Sequence, residues 1–210
     1  MIREAFLEAA EAALALVRDH AVTSRWQEPS ALPGMTVGGL VAHLVWQVIR
    51  ADEVLAADPP THAPIDVLEH YRRSAWVGGD LESEANLAIR DTGEAHAAAG
   101  PEQVADSAGA TLERVRARLV DEPADRLVAL PWAGWALTLD DFLLTRTMEL
   151  VVHADDLVAS VGLATPEMPA AATDATIQLL AAVAAQRHGP YPLIRALTRA
   201  ERAPSSILAF

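Results

Sequence analysis

Residues 138–162 read TLDDFLLTRTMELVVHADDLVASVG, and the architecture turns on this stretch. Thr138, with Asp141 three residues later, has the layout of a capping box, in which a side-chain oxygen accepts an otherwise orphaned backbone N–H. Gly162 supplies a stop, so a helix from Leu139 to about Ser160 is expected. Within it Arg146, Glu149, His153 and Asp156 recur at three- and four-residue spacing and therefore share one stripe. Leu150, Val151, Val152 and Leu157 make its shoulders apolar. A solvated helix face does not have that pattern; a buried or half-buried site does.

Working outward, the same local signals outline further helices. Arg3 to His20 carries Phe6, Ala9, Ala13, Leu14 and Val17 on one apolar stripe. Thr36 is a good N-cap for a helix from Val37 to about Ala56, closed by Asp58-Pro59-Pro60. Ile65 to Trp76 reads as helical, Gly78-Gly79 interrupts it, and Leu81 to Ile89 resumes. Gly100-Pro101 opens a helix reaching about Val120. Leu127 to Leu130 and Trp135 to Leu137 flank a Pro-Trp-Ala-Gly turn, the outline of a short hairpin or extended excursion. After a linker from Thr165 to Pro169, helices are expected over Ala170 to Arg187 and Leu193 to Arg202. The fold class that follows is mostly α: a four-helix bundle over residues 1–165, with a small C-terminal helical extension over 166–210 packed on it.

Composition narrows the function. The chain has 210 residues, 51% hydrophobic and 21% charged, enough for one full core. Its apolar residues are mostly Ala, Leu and Val rather than aromatics, and Ala and Leu favour helix. A net charge of −13 argues against nucleic acid and anionic lipid as partners. No run of about 18 apolar residues is long enough to span a membrane. The charged first residues do not resemble a signal peptide, so cytoplasm is the expected compartment. There is no cysteine, which excludes disulfides, thiolate ligands and a cysteine nucleophile. Any thiol chemistry must use a borrowed thiol. Monomer and homodimer stay equally open.

Glu149 and His153, four apart on a helix, can reach one ion, and oxygen–nitrogen ligation suits zinc or a similar divalent metal. A third ligand is needed, and His43 offers it from an otherwise apolar run, with Trp46 and Gln47 one turn on. On spacing alone the pair reads first as a surface pair or an intrahelical hydrogen bond, and His43 as a satisfied core histidine.

The segment Trp26 … Pro33-Gly34-Met35-Thr36-Val37-Gly38-Gly39-Leu40-Val41-Ala42-His43 resembles the "W … S … PGWTVGDLVAHL" opening of the DinB-like superfamily. Within it the likeness is to the mycothiol-dependent maleylpyruvate isomerase group. That group's second signature, E-x-x-x-H-x-x-D-L, is matched by Glu149 to Leu157. The resemblance covers roughly residues 1 to 165. It implies a four-helix bundle holding one metal, usually zinc, through His43, Glu149 and His153. Two departures stand out: Met35 replaces the family's second Trp, and the tail from Thr165 to Phe210 is short beside the C-terminal domain of the full isomerases.

What the resemblance implies chemically is a mycothiol-using transferase or isomerase, in which a metal-bound thiolate attacks a small electrophile. The alternative is a non-catalytic metal-binding bundle with a stress or regulatory role. The Ala-rich, Arg-over-Lys composition matches that of high-GC, actinobacterial proteins. Candidate catalytic residues are Arg146, Asp156 and Gln47, and Trp46 is the candidate at the cofactor. Asp156 either orients a ligand imidazole or is a helix-end charge. Arg146 either clamps a substrate carboxylate or neutralises Glu149, the second being preferred, and Trp46 reads more readily as core. His62, His70, His96 and His188 read as surface residues, and His20 as lying near a helix C-terminus. Trp76, Trp132 and Trp135 read as turn and core packing rather than a cavity wall.

Overall fold

The computed structural model describes residues 2–79, 82–123 and 125–210. Among these the chain forms nine α-helices and one two-stranded antiparallel sheet. The helices are α1 (Ile2–Val17), α2 (His20–Thr23), α3 (Val37–Ala56), α4 (Val67–Arg73), α5 (Glu84–Ala97), α6 (Pro101–Leu119), α7 (Leu139–Val161), α8 (Ala170–His188) and α9 (Pro190–Thr198). Strands β1 (Leu127–Leu130) and β2 (Trp135–Thr138) separate α6 from α7. A 3-10 turn at Ala200–Arg202 follows α9.

The bundle consists of α1, α3, α6 and α7: α1 and α3 each pack against both α6 and α7. Its core joins Phe6 and Val17 of α1, Leu40 and Leu44 of α3, Leu112 of α6, and Phe142, Leu150 and Leu157 of α7. These are the apolar stripes expected from helical periodicity. Outside the bundle, α5 lies along α3, and α8 along α7 and α1. A smaller cluster around Tyr71, Met148, Leu179 and Val183 joins α4, α7 and α8.

Capping explains where the two central helices begin. The Thr36 side chain accepts from Gly39 N at 2.9 Å, and the Thr138 side chain accepts from Asp141 N at 3.1 Å. Gly162, at φ 71°, ends α7 in the left-handed conformation that glycine adopts without strain. Thr138 is also the last residue of β2, paired with Leu127, so the hairpin runs directly into α7 and fixes its entry.

Several boundaries differ from expectation. The first helix stops at Val17, and His20 opens α2 instead of lying near a C-terminus, because Asp19 caps the next turn by accepting from Ala21 N at 2.7 Å. The helix expected over Ile65 to Trp76 is confined to Val67–Arg73 by the Asp66 cap, whose side chain accepts from Glu69 N. The helix expected from Leu81 to Ile89 is α5, which runs to Ala97; Leu81 itself lies outside the described residues. The last helix starts earlier, at Pro190, directly after Gly189.

The start of α3 is held from another helix. Glu94 of α5 accepts from Thr36 N at 2.7 Å and from the Thr36 hydroxyl at 3.0 Å. Where the resembled opening carries Asp, this chain has Gly39, and a Cβ there would lie 2.2 Å from Glu94 Oε1. The carboxylate that would cap locally is thus supplied by a neighbouring element. Close approach continues at Gly93, whose added Cβ would meet the Gly39 carbonyl oxygen at 2.9 Å. Two glycines therefore let α5 sit on α3 nearly backbone to backbone.

This contact sets two helical glycines apart. Alanine is better than glycine in a helix by roughly 1 kcal/mol. At Gly109 of α6 the new methyl would meet only the end of the flexible Arg18 side chain, at 3.4 Å. Gly109→Ala should therefore stabilise the fold by about 0.5–1 kcal/mol in denaturant melts. At Gly93 the obstacle is backbone, and overpacking costs about 1–3 kcal/mol, so Gly93→Ala should be destabilising. Equal effects at both positions would contradict the α3–α5 contact.

Candidate metal centre

His43 lies on α3, one turn past the start where Gly38 and Gly39 let Trp26 and α5 close in. Glu149 and His153 lie on α7, which packs against α3. Their donor atoms all fall within 4.8 Å of one another. His153 Nε2 is 3.0 Å from Glu149 Oε2, and His43 Nε2 is 3.7 Å from the same oxygen. The two imidazole rings meet edge to face with centroids 4.8 Å apart. Ligands on one ion at about 2.1 Å stand roughly 3–3.5 Å from each other, so the spacing fits a single divalent cation. Among the described residues this is the one group of three or more His, Asp or Glu side chains so arranged.

Further contacts hold the His153 ring and the backbone at His43. His153 Nδ1 lies 2.9 Å from Asp156 Oδ2, the arrangement in which a carboxylate fixes the tautomer and orientation of a ligating imidazole. Gln47, 1% exposed, donates from Nε2 to the His43 carbonyl oxygen at 2.9 Å. Its Oε1 accepts from Arg146 Nη1 at 2.5 Å.

The charges answer one another. Burial works against a charged His153, but its hydrogen bonds to the Asp156 and Glu149 carboxylates outweigh it, and its pKa rises to about 9. Burial also opposes charge on Glu149, yet the hydrogen bond from His153 and the nearby His43 ring bring its carboxyl well below the usual range. Desolvation dominates at His43, which is pushed down despite its contact with Glu149. Without a cation, the imidazolium of His153 supplies the positive charge that Glu149 and Asp156 require.

Arg146 favours the charged form of Glu149 through space, as the neutralising role expects, but makes no direct ion pair with it. Its side chain turns to neutral partners, Gln47 and the Thr145 hydroxyl (3.1 Å), and lies over the Phe142 ring. The reason is geometric: Glu149 points at the two imidazoles, and Gln47 offers an acceptor across the helix interface.

A cavity of about 770 Å³ opens beside the three donors. Trp46 lines it rather than joining the core, and it packs edge-on against His96 at 4.2 Å. Trp76, Trp132 and Trp135 also line it, while Trp135 and Trp76 pack on the two apolar clusters and Trp132 sits in the hairpin turn, so both readings of these residues hold. Trp132, at the hairpin turn, is 44% exposed and lies against the Arg50 guanidinium, which also contacts the Trp46 ring. His62 and His96 are exposed as expected, and His188 is half-buried against the Leu208 carbonyl.

His70 corrects the surface reading: it is 5% exposed. Polar neighbours in sequence, Glu69, Arg72 and Arg73, hid this, although its spacing from Val67 is that of a shared face. His70 Nδ1 accepts from Trp135 Nε1 at 3.1 Å, which requires the ring neutral at that nitrogen.

With the fold and the site described, comparison with known proteins defines the class. The family model of the mycothiol maleylpyruvate isomerase N-terminal domain matches residues 6–158. The chain belongs to that family. Among solved structures it is similar to a mycothiol-dependent maleylpyruvate isomerase, at 18% identity and a TM-score of 0.54. That match covers 88% of this chain and 70% of the other. A histidine-to-alanine mutant of a mycothiol-dependent maleylpyruvate isomerase matches over the same shares at 16% identity and a TM-score of 0.53. At these identities the likeness is one of fold. No curated protein matches by sequence. No helix among the described residues is long and apolar enough to cross a membrane.

The buried His70 predicts an acid-sensitive fold. Burial, then the charge of Arg146, lowers its pKa from 6.5 to about 4. The folded state thus favours the neutral ring, and this contribution is complete above pH 6.5 and is lost as pH falls towards 4. The loss should reach about 3 kcal/mol at most. His70→Gln should flatten the stability profile between those limits, read by denaturant melts across pH; an unchanged slope would refute the assignment.

Proposed function

We propose that this protein is a divalent-metal-dependent enzyme that brings a low-molecular-weight thiol, mycothiol by family, to a small electrophile as a transferase or isomerase. The observation that carries the reading is the three-donor group of His43, Glu149 and His153 at one end of an open cavity. Three protein donors with space beside them suit a catalytic ion, whereas a structural ion is enclosed by four. The nitrogen–nitrogen–oxygen set suits zinc. A divalent cation held there would supply Lewis acidity, lowering the pKa of a thiol brought to it so that sulfur is nucleophilic at neutral pH. The absence of cysteine from the chain fits a borrowed nucleophile.

The chain's own residues divide the remaining work. His43, Glu149 and His153 hold the ion. Asp156 keeps the His153 ring oriented, with Nε2 towards Glu149. Gln47 positions Arg146 at the cavity wall, and the surrounding indoles limit the entry of water. The bundle through residue 165 carries every donor, while residues 166–210 act as an extension against it.

Elemental mass spectrometry of the purified protein tests this reading. About one zinc or similar ion per chain is expected, and His153→Ala should lose it. Asp156→Asn should keep the ligand set but weaken metal affinity by about 10–100-fold. Loaded protein should then consume mycothiol in the presence of an electrophile. A chain free of metal after growth in replete medium would overturn the proposal.

A further inference from the structure

The cavity has a character that the metal group does not account for. Four of the chain's five tryptophans line it: Trp46, Trp76, Trp132 and Trp135. Sixteen basic residues face 29 acidic ones in the whole chain, yet four arginines line this cavity and, among the described residues, Glu149 is its one carboxylate. An acidic protein has gathered positive charge and flat aromatic surface into one place.

Three of those arginines are answered by carboxylates behind the wall. Arg50 pairs with Glu53, Arg73 with Glu69, and Arg90 with Glu82. Arg146 differs. Among the described residues no carboxylate lies within ion-pair distance of it, and its partners are the Gln47 amide and the Thr145 hydroxyl. Glu149 feels its charge only through space, so a half-buried guanidinium whose hydrogen bonds all go to neutral groups has room for an anionic ligand group to pair with it directly. A volume of about 770 Å³ lies within the range of roughly 300–1,000 Å³ that suits a drug-sized molecule. A short aliphatic dianion would leave the indole rings uncovered.

We propose that this cavity takes an aromatic anion, its ring lodged among the indoles and its carboxylate or similar group on Arg146. The inference rests on the enzymatic reading above and names a ligand class for the cavity beside the three donors: a planar aromatic anion rather than a short acyclic one. Arg146 is then a substrate-binding residue, and the Gln47 hydrogen bond aims it.

Calorimetric titration of the purified protein with three probes tests the proposal: 1-naphthoate, maleate and 1-naphthalenemethanol. Naphthoate should bind one to one, and maleate and the uncharged alcohol each roughly tenfold or more weakly. Arg146→Gln should weaken naphthoate by about tenfold or more while leaving the alcohol nearly unchanged, and Arg146→Lys should restore much of the loss. Circular dichroism confirms that each variant is folded. Maleate binding as tightly as naphthoate, equal binding of the alcohol, absence of naphthoate binding, or a folded Arg146→Gln variant with unchanged affinity would each overturn it. Metal content measured on the same samples separates the two readings. Metal retained without naphthoate binding refutes this inference alone. Arg146-dependent binding to a chain that takes up no metal refutes the metal-dependent function and leaves the cavity's ligand class standing.

Discussion

The Glu149 carboxylate lies in a cleft between apolar helix faces, and much of the structure around it keeps that charge from being stranded. A carboxylate removed from water is costly unless it is paired and hydrogen-bonded. Here His153 meets it from its own helix, and His43 approaches it from α3. Asp156 then steadies the far side of His153. The α3–α7 packing is thus both a hydrophobic contact, through Leu40, Leu44, Leu150 and Leu157, and the means of bringing a compensating ring to a buried anion. A divalent cation held by the same three side chains would answer the same requirement.

The elements flanking this pair shape what can reach it. The hairpin is tied to α7 through Thr138, and its turn sets Trp132 against Arg50 of α3. On the opposite side α5 is drawn against α3 by Glu94 and by the Gly39–Gly93 approach, which brings Ile89 and Arg90 to the cavity. Between them α4 contributes His70, neutral and hydrogen-bonded to Trp135. The cavity is therefore walled by elements that lie outside the four-helix core, while its chemical end is built from the core itself.

The legible parts of this protein were those governed by short-range rules. Thr36, Thr138 and Gly162 marked helix ends because capping involves atoms two to four residues apart. The stripe of Arg146, Glu149, His153 and Asp156 could be drawn because helical periodicity is local, and the hairpin because its turn residues are. Alpha-helix α5 was harder: it runs past Ile89 to Ala97, and the Gly93 backbone approach to α3 that lies in this last part is not visible in the sequence. His70 was misread for a related reason, since charged neighbours on the other side of its helix concealed the face that turns inward.

By itself, then, the sequence determined the helical elements, their main starts and stops, and the face on which α7 carries its polar groups. It also offered His43 as a third donor, a choice that the resemblance to a known family strengthened. Tertiary structure alone decided that Gln47 rather than Glu149 engages Arg146, that Glu94 completes the cap of α3, and that four tryptophans distant in the chain share one cavity. The physical reason is range. Capping and periodicity are written within a turn or two of chain, whereas the partner of a buried charge and the walls of a cavity depend on which helices pack together, and at what separation.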